Sequence, residues 1–318
     1  MKRPFIFILL LSFSVVVVSV LSSLLFYDDS DSSNNTPILN IKNKVINEVN
    51  YDTVDLDAPT ISIYNVDENK IEKMNMEEYL YGVLASEIPS TFNEEALKAQ
   101  AVAARSYATS KMENNYLELT SGISDQVYSP IYKLQEKWQS DFDKYYQKIS
   151  KCVKSTNNEV IKRNNKILRT YYFSMSNGYT ENSQTVFNDT TFTSVKSLEN
   201  ENTPNYKFQK TFSAEELQKI LNISNIDIQS IERSNTNHVS TITINNKIYT
   251  GIQFRKLLNL RSTDFTIQKQ DNNYIITTIG YGHGVGMSQY GANQMAKEGS
   301  SYKEILNHYY VNTEISEI

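Results

Sequence analysis

One cysteine, one tryptophan, three histidines, six prolines and ten glycines among 318 residues exclude several architectures before any pattern is read. A lone Cys152 cannot close an internal disulfide, so the fold must stand on packing; in a lysine-flanked amphipathic helix it reads as a small half-buried residue rather than a nucleophile. His238, His283 and His308 lie far apart and make no short-spaced zinc cluster with it. There is no basic excess: 31 Lys and Arg against 36 Asp and Glu leave a formal net charge of -5, which argues against a nucleic-acid partner. The chain also lacks a G-x-S-x-G elbow, a G-x-G-x-x-G fingerprint, a phosphate-loop Gly-Lys-Ser/Thr and any internal repeat. The 22 tyrosines would suit sugar faces, but Asn, Lys and Ile are abundant too, as an AT-rich genome would produce, so composition decides little here.

One long hydrophobic run is present. Lys2 and Arg3 precede an uncharged apolar stretch from Pro4 to Phe26, which as a helix would be about 34 Å long and enough to cross a bilayer. A cleaved signal peptide is the rival reading, but its apolar region is normally shorter and ends at a small-residue A-x-A-like site, absent between Ser19 and Leu25. Residues 1–27 are therefore expected to be a cytoplasmic start and transmembrane anchor. The basic side stays in the cytoplasm and the bulk lies outside the membrane. Residues 28–58, beginning DDSDSSNNTP, are polar and aperiodic and read as a stalk.

The remainder predicts an α+β fold with two lobes, a central Ala-rich helix and small mixed sheets. TISIYNV alternates like a strand and can pair with Lys70–Met74 across a turn at Asp67–Asn69. Asn75 caps a helix toward Glu87, which Pro89 stops. Asn93 starts a second helix running to about Asn114, with Ala96, Gln100, Ala103, Ala104 and Tyr107 at helical spacing. After a loop SDQVYSP comes an amphipathic helix from Asp143 to Ser155, then two strands around Asn164 and Asn165, and a polar loop SMSNGYTEN. Residues 198–265, with a capped helix in TFSAEELQKILN and a hairpin about Asn245 and Asn246, are expected to form an inserted second lobe. The main domain is then 59–197 with 266–318, where NYIITTIGYGHGVGMSQYGANQMAKEG reads as strand, glycine-rich turn and helix.

Glu87 is the residue that points to chemistry. It ends the apolar run of Val83, Leu84, Ala85 and Ile88 at a helix C-terminus, where lost hydration and the helix dipole both resist ionisation; a carboxyl protonated near neutral pH can donate to a leaving oxygen. The competing reading is an ordinary surface carboxylate paired with Arg105, and the two are evenly matched. His283, inside a loop that holds five of the ten glycines, likewise reads either as a satisfied structural residue or as part of a site.

Four segments in order, EEYLYGVLASEIPSTFNEEALKAQAVAARSYA, SDQVY, SNGYTEN and GYGHGVGMSQYGANQMAKEG, resemble the motifs of the stage II sporulation protein D family. The resemblance covers residue 60 to the end and implies a peptidoglycan lytic transglycosylase acting on glycan strands freed of stem peptides, with Glu87 as the catalytic glutamate. It also implies a cell-wall amidase partner, stage II sporulation protein P, and a membrane complex driving forespore engulfment, with the chain in the mother-cell membrane. On that basis Gln100 and Arg105 are expected to face the cleft and orient Glu87 or the sugar. Ser176, Asn177, Tyr179 and Thr180 would bond sugar N-acetyl and hydroxyl groups, and His283, Gln289 and Tyr290 would line the far wall. Some members hold zinc through Cys and His in and just before the SDQVY segment; Ser124 and Asp125 stand here with no cysteine nearby, so no zinc or other cofactor is expected. Two other classes compete: a non-catalytic glycan-binding activator of a cell-wall amidase and, more weakly, a solute-binding receptor.

Overall fold

The computed structural model describes residues 59–113 and 119–318. The expected membrane anchor and stalk, 1–58, lie outside the described residues; among those described, no helix is long and apolar enough to cross a membrane. Strands β1 (Thr60–Asn65) and β2 (Lys70–Asn75) form the expected antiparallel hairpin, with Asn69 at φ 51° in its turn. Asn75 Oδ1 accepts the Glu77 N–H at 2.8 Å and starts helix α1 (Met76–Glu87), which stops at Ile88, held extended at φ -125° and ψ 141° before Pro89. Helix α2 (Glu94–Glu113) follows.

Helix α2 is buried nearly all round, as a core helix must be when its neighbours lie on every side. Its Leu97, Ala101, Ala104 and Ala108 join α1 residues in one core cluster. Its Ala96, Ala99, Val102 and Ala103 join a second cluster with residues near the C-terminus. The short alanine side chains let both sets of neighbours approach closely. Strand β3 (Leu119–Thr120) adds in parallel to β1. Helix α3 (Ile131–Trp138) occupies a stretch where the sequence reading placed no element, and α4 (Phe142–Lys154) follows. Strands β4 (Glu159–Arg163) and β5 (Lys166–Ile167) turn through Asn164 and Asn165, both at positive φ, and β6 (Tyr172–Phe173) and the short α5 (Ser183–Phe187) lead to the second lobe.

That lobe contains β7 (Lys207–Ser213), α6 (Ala214–Leu221), β8 (Ile228–Arg233), β9 (Val239–Ile244), β10 (Lys247–Thr250), α7 (Gly251–Leu258), β11 (Phe265–Gln270) and β12 (Asn273–Ile279). Two three-stranded antiparallel sheets, in orders β10-β9-β8 and β11-β12-β7, share a core of their own that includes Phe212, Leu217, Ile242, Phe254, Phe265 and Ile276. The expected limits of 198–265 are therefore corrected at both ends. Strand β12 pairs with β7 in the register Tyr274↔Phe212, which binds residues up to Ile279 into the lobe, whereas Glu199 bonds back to Ser176 and Ser288 in the main body. The chain then closes with β13 (Met287–Ser288), α8 (Gln289–Lys297), α9 (Tyr302–Tyr309) and β14 (Glu314–Glu317), the last pairing with β4. The architecture is mixed α+β with small sheets. Twelve asparagines among the described residues adopt positive φ, so the turn positions that glycine usually fills fall largely to asparagine in a glycine-poor chain.

Candidate active site

Glu87 is the last residue of α1, and a segment 40 positions on comes back to it. Gly82 makes this possible: a Cβ there would sit 2.4 Å from Tyr128 Cε2 and 2.6 Å from Ser129 O. Without it, Asp125–Ser129 lie directly against the helix, Tyr128 stacks on Tyr79 at 5.6 Å, and buried Gln126 takes the Tyr79 hydroxyl at 3.0 Å while donating to Tyr172 Oη at 2.9 Å. So fixed, Val127 N–H donates to Glu87 Oε1 at 2.6 Å. Glu87 is half-buried, and no cation pairs with it among the described residues. Burial pushes its carboxyl from an ordinary 4.5 up to about 7, against the opposing pull of the Val127 N–H.

Two cavities, of about 600 and 570 Å³, have Glu87, Phe173, Ser174 and Tyr281 in common on their walls. The first extends past Trp138, Gln289, Tyr290 and Arg261; the second past Tyr107, Val127, Tyr172 and His283. Glu87 therefore stands on the walls of both spaces, the first carrying Trp138, Phe173, Tyr281 and Tyr290 and the second richer still in aromatic rings, the surface that sugar faces prefer. Asp125 is the other acid on these walls. Its Oδ1 accepts Tyr107 Oη at 2.9 Å and the Lys111 ammonium, and its Oδ2 accepts Thr120 N and Oγ1, both at 2.9 Å. Burial alone would raise its pKa, but the Lys111 bond and the Thr120 and Tyr107 donors outweigh burial and hold it below the usual carboxylate range.

Three of the expected site residues line the cavities besides Glu87. Gln289 and Tyr290, on the first turn of α8, face the first, with the Tyr290 ring edge-on to Phe92 at 4.9 Å. His283 faces the second. Its Nδ1 accepts the Val285 N–H at 3.1 Å, which puts the ring proton on Nε2, 3.1 Å from the Tyr172 carbonyl. Burial, with the Arg255 charge acting the same way, lowers its pKa to about 4, so it is a neutral positioning group near neutral pH.

The other six line neither cavity. Arg105 was expected at the cleft; it is instead fully buried, its Nε and Nη2 each 2.9 Å from a Glu77 carboxylate oxygen and its other donors on the Val153 and Glu159 carbonyls. Gln100 is also fully buried, behind Gln289, whose amide donates to Gln100 Oε1 at 3.4 Å. Ser176 bonds Glu199 through both N and Oγ, and Thr180 exchanges bonds with the Val195 backbone. Asn177 Nδ2 reaches Thr236 O at 2.7 Å and Asp264 Oδ2 at 2.9 Å in the second lobe, and Tyr179 is exposed outside both cavities. The SNGYTEN loop thus fastens the lobes to each other instead of presenting donors to the cleft. Missed by sequence reasoning were Trp138, Phe173, Ser174, Tyr281 and Arg261, which reach the cleft from four separate segments. Among the described residues, no three His, Cys, Asp or Glu side chains gather as a metal site.

Residues 64–162, from β1 into β4 and including Glu87, Arg105 and the Asp125–Tyr128 segment, match the stage II sporulation protein (SpoIID) family. Stage II sporulation protein D of Bacillus subtilis strain 168 is 38% identical over 84% of this chain and 81% of its own length. The chain belongs to the stage II sporulation protein D family. Its counterpart in Bacillus amyloliquefaciens is 37% identical over 81% of this chain and 79% of its own length. The amidase enhancer of Bacillus subtilis is 26% identical over 74% of this chain and 40% of its own length, so the likeness extends to a protein of different name and larger size. Membership makes this a sporulation protein.

Proposed function

We propose that the protein is a peptidoglycan lytic transglycosylase that cuts glycan strands with Glu87 as its single acid and base. The observation carrying this reading is a carboxyl with a pKa near neutrality on the wall common to two aromatic cavities, where a polysaccharide would extend on both sides of the bond being cut. Protonated Glu87 donates to the glycosidic oxygen as the bond from that oxygen to C1 of muramic acid breaks. The C6 hydroxyl of the same sugar attacks C1, and the Glu87 carboxylate takes the hydroxyl proton. The products are a 1,6-anhydro end and a new hydroxyl end; the acid is restored and no water is consumed.

A glycoside hydrolase needs a second carboxylate as nucleophile or as base for water. Asp125 does not supply it, because both its oxygens are already occupied by four donors. The remaining expectations belong to the same proposal: anchorage through Pro4–Phe26 with the cleft outside the membrane, a cell-wall amidase (stage II sporulation protein P) as partner, and a role in engulfment. Incubating the full-length chain with glycan strands freed of stem peptides should release anhydro-muramic ends detectable by mass. Glu87→Gln should retain the fold and lose that product by a factor of at least about 100. A glycan-binding activator that does not cut would show no such loss and would still stimulate its amidase with Gln at position 87; that outcome would replace the enzyme assignment.

A further inference from the structure

The first cavity carries positive charge without an equal negative one. Lys137 and Arg261 line it, and among the described residues Glu87 is the only acidic one on its wall. Lys137 is partly engaged, its Nζ donating to Ala85 O at 2.9 Å. Arg261 is held differently. Its guanidinium carbon lies 3.9 Å from the centroid of the Phe208 ring and 5.3 Å from that of Tyr281, so two rings restrict the plane of the fork. Among the described residues no carboxylate or carbonyl takes up its N–H donors. Its backbone is fixed too, because Arg261 O accepts the Gly282 N–H at 3.0 Å and so ties the residue after α7 to the glycine-rich loop. An arginine that stacks on a ring and lines a cavity with its donors unspent is organised in advance for a bidentate anion.

We propose that Arg261 is a specificity residue, through which the inserted lobe recognises a carboxylate carried by the glycan strand on the Trp138 and Tyr290 side of the bond to be cut. This rests on the transglycosylase reading and adds to it the group that is recognised. Muramic acid carries such a group as its lactyl ether carboxyl, which is an anion when free and a neutral amide when substituted. The second lobe, whose core is separate from that of the main body, then has a function in the cleft: it supplies the cation, while α1 supplies the acid. Recognition also acquires a direction along the strand, since the carboxylate is read on one side of Glu87.

The test uses the full-length chain with Glu87→Gln, which binds without cutting, and one glycan preparation in two forms: lactyl carboxyls free, or all converted to methylamides. The free form should bind about tenfold tighter. Arg261→Gln in the same background should bring the ratio near one, and Arg261→Lys, which keeps the charge and loses the fork, should fall between. Thermal unfolding at an unchanged temperature shows that each variant is folded. A ratio unaltered by Arg261→Gln, or equal affinity for both glycans before any change at 261, overturns the assignment of Arg261; if the unsubstituted chain still makes anhydro ends, the transglycosylase reading survives that result. Failure to bind either form, together with failure to cut, overturns both.

Discussion

Helix α1 carries two carboxylates in opposite circumstances. Glu77, in its first turn, is buried and faces a guanidinium through two bonds of 2.9 Å. Glu87, in its last turn, meets one backbone N–H and aromatic walls. The helix dipole favours the first position for an anion and disfavours the second. One acid is therefore committed to an ion pair that joins α1 to α2 and, through Arg105, to the carbonyls of Val153 and Glu159. The other is left able to exchange a proton near neutral pH. Structural and chemical roles separate here by pairing, with residue type and helix in common.

Removing the cation at one end and the titrating proton at the other tests that contrast. Arg105→Ala should have the largest effect, destabilising the fold by about 3–5 kcal/mol because Glu77 is left as an uncompensated buried charge. Urea unfolding measures it; a loss under 1 kcal/mol would mean that the pair is no more than a surface contact and that the contrast is unsound. Replacing both partners by apolar residues of similar volume should recover most of the loss.

Glu87→Gln should act in the other direction on stability, and only at higher pH. The carboxyl titrates near 4.5 when unfolded and at about 7 when folded. Below 4.5 it is protonated in both states, so the folded form is not penalised; as pH rises from 4.5 through 7 the unfolded chain ionises first and stability is lost. The variant lacks this loss. Its unfolding free energy should match the parent at pH 4 and exceed it by up to about 3 kcal/mol at pH 8. Parallel stability curves across that range would show that Glu87 is hydrated and ordinary.

How far this contrast is legible in sequence differs between its ends. Glu87 stands out as an acid closing an apolar turn before a proline, although the residues alone leave a surface carboxylate evenly matched with a proton donor, and the hairpins about Asn164 and Asn245 announce themselves through paired asparagines. Arg105 did not, since helical spacing on α2 cannot say which of several surrounding elements a side chain meets when the helix is buried on all sides. The SNGYTEN residues look like sugar ligands because they are small and polar; their partners, Glu199, Val195, Thr236 and Asp264, lie 15 to 87 positions away. The aromatic walls were invisible for a related reason. Phe173 and Tyr281 are single residues in separate segments, brought together by the Met175–Tyr281 backbone exchange of 2.9 and 2.7 Å, which no local pattern encodes.

The pH dependence of cutting sharpens the contrast with the smallest change. If the proton on Glu87 is the one delivered, kcat/KM for glycan should be flat on the acid side of about pH 7 and fall tenfold per unit above it, about 1.4 kcal/mol for each unit. His283 adds no second limb in the range from 5 to 9. Its folded pKa is about 4, so it stays neutral there, and the bond that Nδ1 accepts from the Val285 N–H requires the neutral ring. A rising limb between pH 5 and 7 would assign proton transfer to a group other than Glu87, and His283, across the second cavity, would be the first residue to replace.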